Sequence, residues 1–86
     1  MNWKNAMAYA ESLGDGAHLP SLTEAPLVRL ALLALDKNKS GWMWTSTQSS
    51  AYGAFGQHFY DGLQFYLYKV SHGLVRPVRR FNTLII

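Results

Sequence analysis

The chain has 86 residues, no cysteine, and a formal charge of +3 from eight basic and five acidic residues, with 49% of positions hydrophobic and 14% aromatic. One domain, residues 1–86, is all this length holds, and such a chain buries only about 60–65% of its unfolded surface. Disorder is excluded by the apolar content, and disulfide staples, thiolate metal ligands and a cysteine nucleophile are excluded by the missing cysteines. The expected compartment is the cytoplasm, with no membrane partner: "MNWKNAMAYAESLG" has no signal-peptide core, and no window reaches the roughly 18–20 apolar residues of a span.

In chain order, Asn2 is placed to cap a helix whose inward residues Trp3, Ala6, Met7, Ala10 and Leu13 recur at three-and-four spacing, and "GDG" at residues 14–16 stops it. A second start lies in "SLTE", residues 21–24. Ser21 and Glu24 have capping-box spacing, but Pro26 would then fall inside the ladder without an N–H, so Thr23 is the expected cap. From Leu27 to Leu35 the run "LVRLALLAL" is apolar on nearly every side, with Arg29 its one charge, so a single flat contact cannot bury it; the helix is wedged between layers or touches another chain.

After the polar loop "DKNKSG" the pattern turns extended, and strands are predicted at 42–47, 54–60, 63–70 and 74–81. Asp61-Gly62 reads as a tight hairpin and Ser71-His72-Gly73 as a second turn. In the third strand, Leu63, Phe65 and Leu67 are expected to face the helices, with Gln64, Tyr66 and Tyr68 on the outer side. In the fourth, "LVRPVRRF", Pro77 cannot donate to a ladder, so the strand lies at an edge or breaks there. Its arginines are open to two readings: anchors for carboxylates or carbonyls within the fold, or contacts to an external anion. The class is α+β, two helices followed by a mostly antiparallel sheet of about four strands.

The landmarks "NWKNAMAYAESL", "HLPSLTE", "WMWTSTQ", "HFYDG" and "LVRPVRRF", taken in that order over residues 2–81, resemble the bacterial and phage family of the Lcl C-terminal domain. The resemblance implies a compact C-type-lectin-like domain. By position, Trp3 and Ala6 match the family's first helix, Leu19 and Pro20 its Leu-Pro, Glu24 the acid of the second helix, Trp44, Ser46 and Thr47 the strand motif, Phe59 and Gly62 the hairpin, and Val75, Arg76, Val78 and Arg79 the closing strand. Two departures stand out. Ala17-His18 replaces the family's Trp-Arg, with Trp42 or Trp44 to fill the space of the missing indole. The usual first strand, which pairs with the closing one, is lacking, so the closing strand or the tail "NTLII" is expected to be covered by a second copy, a target or its own fold-back.

Catalytic signals are thin. His18, His58 and His72 show no ligand spacing, the acids are scattered, and no nucleophile elbow, phosphate loop or dinucleotide fingerprint occurs. Calcium-binding loops of the lectin type are missing too. The expectation is therefore a protein that is not an enzyme and needs no metal or cofactor. "STQSSAYGAFGQHFY" has the mixture of aromatic and neutral polar groups found on adaptable binding surfaces. The predicted binding residues are Tyr52, Gln57, Gln64, Tyr66 and Tyr68 on an exposed sheet face, with Arg76, Arg79 and Arg80 on the closing strand; Phe55, Phe59, Phe65, Trp3 and Trp44 are assigned to the core. The leading expectation is a module that recognises a protein target, in keeping with a small phage- or mobile-element-encoded inhibitor of a host complex and with self-association through the closing strand. The alternative is an acidic glycan or nucleic acid held by Arg76, Arg79, Arg80, Lys69 and Lys39.

Overall fold

The computed structural model describes residues 1–79. Helices α1 (Trp3–Ser12) and α2 (Ala25–Leu35) precede strands β1 (Trp42–Gln48), β2 (Gly53–His58) and β3 (Gln64–Tyr68), which form one antiparallel sheet in the order β1–β2–β3. The protein is a small α+β domain. Arg80 and the tail "NTLII" lie outside the described residues.

The helices cover opposite faces of the sheet. Residues 42, 44, 54 and 67 alternate onto the side that packs with Trp3, Ala6, Ala10 and Leu19, while Met43 and Phe59 join Ala25, Val28 and Leu32 on the other. The expectation of one inner and one outer face is corrected accordingly. Phe65, edge-on to Trp42, and Leu67 face the α1 side; Gln64 reaches the start of α2; Leu63 lies outside the strand and is exposed. Phe59, Trp3 and Trp44 are core residues, whereas Phe55 and Phe65 are only half-buried.

α1 starts as its sequence requires, with the Asn2 side chain accepting from the Asn5 N–H at 2.9 Å. It ends at Gly14, Asp15 and Gly16, all with positive φ, and Leu13 falls past the last turn and is exposed. Trp3 ties the helix to β1 through Nε1–H to the Thr45 carbonyl at 2.8 Å. Trp44 is fully buried beside Ala6 and Leu19, and Trp42 packs edge-on against it at 4.7 Å. Gly56 makes room for Trp42: a Cβ there would lie 2.7 Å from the indole.

The start of α2 corrects the cap assignment. Ser21 Oγ accepts from the Glu24 N–H at 3.1 Å, and Glu24 Oε1 accepts from the Ser21 N–H at 3.0 Å, the reciprocal capping box set aside because of Pro26. Pro26 does leave the Leu22 carbonyl without its ladder donor. That carbonyl instead receives Gln64 Nε2–H at 2.8 Å, a donor from 42 residues away that local pattern reading could not supply.

β1 shifts register between Trp44 and Gln48: four residues of β1 span what two residues of β2 span. The backbone freed there holds the loop before α2, with Ser46 N–H to Pro20 O at 2.9 Å and Leu22 N–H to Thr47 Oγ1 at 3.3 Å. The Asp61-Gly62 turn is wider than a two-residue hairpin. His58 N–H closes it on Leu63 O, and the Asp61 carboxylate accepts from the Leu63 N–H.

The fourth strand is also corrected. After residues 71–73 the chain crosses to the far edge of β1 rather than folding back beside β3. Leu74 bridges Met43 in parallel, and Val78 bridges His18 in antiparallel fashion; no further ladder forms among the described residues. Pro77 has no N–H and the partner changes between the two bridges, so a continuous ribbon cannot propagate. At Val78 the cover comes from the chain itself, because Val78 and His18 exchange both main-chain hydrogen bonds, at 2.8 and 2.9 Å.

Candidate functional site: a tyrosine-walled cleft at the sheet edge

The predicted binding residues divide into three places. Tyr52, Tyr66 and Tyr68 converge, at 78%, 71% and 73% exposure. With Ser50, Gly53 and Leu67 they line an open cleft of about 220 Å³. Gly53 pairs directly with Tyr68 across the strands, and a Cβ on it would lie 2.5 Å from the Ser49 hydroxyl and 3.3 Å from that of Ser50, so the glycine makes room for the turn that closes one end of the cleft. Phe55 meets Tyr66 edge-on at 6.3 Å and fixes one wall. Beside the cleft, Lys69 Nζ donates to Gln48 Oε1 at 2.7 Å and to the Ala51 carbonyl at 2.9 Å and lies over the Trp3 ring; among the described residues no carboxylate accepts from it.

Gln57 is not on an exposed face. It is 1% exposed, and its Nε2–H donates to the Ala25 carbonyl at 2.8 Å while its Oε1 accepts from Gln64 at 3.1 Å. Both glutamines join the sheet to the start of α2. The period-two pattern placed them correctly on the face of Tyr66 and Tyr68, but α2 covers the upper part of that face and leaves the lower part to the tyrosines.

Arg76 and Arg79 stand at the opposite edge of the sheet, with β1 and β2 between them and β3. They line a groove of about 440 Å³ with Pro77, Val78 and the α2 residues Leu27, Val28, Ala31, Leu32 and Leu35. Leu27, Leu30 and Leu35 are exposed, and only Ala25 of the helix is fully buried. Among the described residues neither arginine makes an ion pair or side-chain hydrogen bond, so the reading of them as internal anchors is corrected for these two. The anchoring arginine is Arg29, whose Nε–H and NηH donate to the Phe59 and Tyr60 carbonyls at 2.7 and 3.0 Å. Lys39 lies over the Phe59 ring and Lys69 stands beside the tyrosine cleft, away from Arg76 and Arg79, so the cations of the anion-binding alternative do not all gather in one place.

Sequence reading missed the pair His18–Glu24. His18 Nδ1 lies 2.8 Å from the Gly16 carbonyl oxygen, and Nε2 lies 3.1 Å from each carboxylate oxygen of Glu24. The Ser21 N–H above all, and then the His18 ring, hold the Glu24 carboxyl below the usual carboxylate range, against an opposing effect of burial. The signal was present in "HLPSLTE", where the capping acid and the histidine are six residues apart, but only the loop geometry folds one onto the other. Among the described residues no group of three or more histidines and carboxylates is placed to hold a metal ion, and no helix is long and apolar enough to cross a membrane.

No family model matches this sequence, and no curated protein matches it.

Proposed function

We propose that the chain is a non-catalytic binding module of C-type-lectin-like fold that recognises a protein target through the cleft walled by Tyr52, Tyr66 and Tyr68. One observation carries the reading: three tyrosines are held together, exposed, around one open cleft. Tyrosine supplies rigid contact area at small entropic cost and a hydroxyl at its rim, which is why it is common in protein-recognition surfaces. The return of residue 78 to His18 beside Leu19-Pro20, and the bulged "WTST" strand, support the lectin-like resemblance.

His18 and Glu24 contain the components of an acid–base pair, but the carboxylate is tied to the start of α2 by the Ser21 N–H, a structural use. Acting in the cytoplasm as a phage- or mobile-element-encoded inhibitor fits the size of the domain and its lack of cysteine. The arginine groove is a second surface at the far edge, and a single target touching both would have to wrap the molecule.

The test is an affinity pull-down at moderate salt with the native chain and a Tyr66→Ala, Tyr68→Ala variant. The expected result is a band lost with the variant and insensitive to added salt. A band that persists in the variant defeats the reading, and one that fades steeply with salt while tracking Arg76→Ala, Arg79→Ala returns the acidic-ligand alternative.

A further inference from the structure

The β3 edge carries more than tyrosine rings. His58 N–H donates to Leu63 O and Lys69 N–H donates to Tyr52 O, at 3.0 and 2.8 Å, so residues 63, 65 and 67 and the Lys69 N–H turn toward β2, while the Lys69 carbonyl accepts from the Trp3 N–H at 2.9 Å. Gln64, Tyr66 and Tyr68 turn theirs away from it. β3 is the last strand on that side, and among the described residues the outward N–H and C=O of Tyr66 and the N–H of Tyr68 have no hydrogen-bond partner; the Tyr68 carbonyl accepts from Ser71. Sheet edges are ordinarily blunted by charge, proline or a bulge. The segment "QFYLY" has none of these: its pairing with β2 is regular over five residues and its side chains are all neutral.

We propose that this edge docks an extended segment of the target protein, which pairs its backbone with Tyr66 and Tyr68, seats one apolar side chain in the adjoining cleft and sets an acidic residue near Lys69. The inference rests on the protein-binding reading above and names the form of the partner. An extended strand is the occupant that the outward groups select, because their spacing along β3 repeats every second residue and matches the donors and acceptors of another strand. The cleft is walled by Tyr66 and Tyr68 themselves, so an alternate residue of the added strand projects toward it on their side of the sheet. Lys69, whose ammonium donates only to the neutral oxygens of Gln48 and Ala51 among the described residues, supplies the charge complement. A second copy pairing β3 with β3 fits less well: the same tyrosines would have to wall one cleft and fill the other.

The test uses the full chain and random linear 12-residue peptides displayed on phage. An enriched peptide is synthesised, then remade with single backbone N-methyl groups along its length, and binding is measured by fluorescence anisotropy alongside amide hydrogen exchange of the protein. Expected are losses of about tenfold or more at alternate peptide positions and small changes between them, the signature of a strand whose N–H groups point alternately to and from its neighbour. Exchange at the Tyr66 and Tyr68 amides slows on binding, and replacing the peptide's acidic residue by its amide weakens the complex. Losses without alternation, protection confined to the α2 groove, amides at 66 and 68 already protected in a dimer, or no enriched peptide each overturn the inference; an unchanged affinity for the amide form overturns the acidic assignment. None of these outcomes touches the pull-down comparison, which fails when the target band persists with the tyrosine double variant.

Discussion

The two faces of the sheet are closed by different forces. On the α1 side the contacts are apolar and large: Trp3, Ala6, Ala10, Leu19, Trp44 and Ala54 form one buried cluster, with Trp42 laid over Gly56. On the α2 side the buried apolar cluster has only Ala25, Met43 and Phe59, and the helix is held by directional bonds: Gln57 to Ala25 O, Gln64 to Leu22 O, and Arg29 to the two carbonyls after β2. Apolar burial is non-directional and tolerates a helix that rolls, whereas these carbonyl contacts fix where α2 sits while most of its leucines remain in solvent. The sealed face makes the domain stable, and the bonded face sets which surface stays open.

The largest expected effect tests the sealed face. Trp44→Ala removes a fully buried indole and is expected to cost about 3–5 kcal/mol, enough to unfold much of a domain this size, whereas Leu27→Gln on exposed α2 should stay within about 0.5 kcal/mol of the native chain. Urea denaturation measures both, and comparable losses would erase the contrast between the faces.

The next effect tests the bonded face. Gln57→Leu keeps the volume but strips the Ala25 carbonyl and the Gln64 amide of a buried partner, at an expected cost of about 1–3 kcal/mol. Gln57 and Gln64 share a hydrogen bond, so a double-mutant cycle should find them coupled by about 0.5 kcal/mol or more, and strict additivity would show that they act separately.

The smallest effect is in acid. A carboxyl held below its ordinary range contributes stability that is fully present above the unfolded value, 4.5, and is lost as pH falls through the lower, folded value. Glu24 is 42% exposed, so solvent screening keeps the contribution to about 0.5 kcal/mol. The melting temperature of Glu24→Gln should therefore lie slightly below the native one at neutral pH, and the gap should narrow as pH falls below 4.5 and through the lower, folded value. A gap that persists in strong acid would assign the loss to geometry rather than charge.

Where local chemistry was decisive, the residues announced their roles. The Asn2 cap, the glycine stop at 14–16 and the apolar spacing on α1 are one-turn effects, and they appear where the pattern put them. The choice between Ser21 and Thr23 could not be made locally, because the objection to Ser21 was the missing Pro26 donor and the remedy, Gln64, comes from another strand. Gln57 and Gln64 looked like neighbours of Tyr66 because alternation is a two-residue rule, but which part of that face α2 covers is set by contacts across 32 and 42 residues. The closing arginines misled for a related reason: strand propensity predicted a ribbon, and only the chain's crossing to the β1 edge decided that two single bridges form around Pro77.

By itself the sequence determined two helices followed by three strands in that order, the absence of cysteine chemistry, and the alternation of aromatic residues along β3, since all of these depend on residue type or on spacing within a turn or strand. The tertiary structure alone decided that helices lie on both faces, that Tyr52, Tyr66 and Tyr68 share one cleft while Arg76 and Arg79 lie at the opposite edge, and that no strand among the described residues pairs with the outer side of β3. Those outcomes turn on which distant groups satisfy buried carbonyls and fill the space between layers, and such long-range requirements leave no periodic mark on the chain.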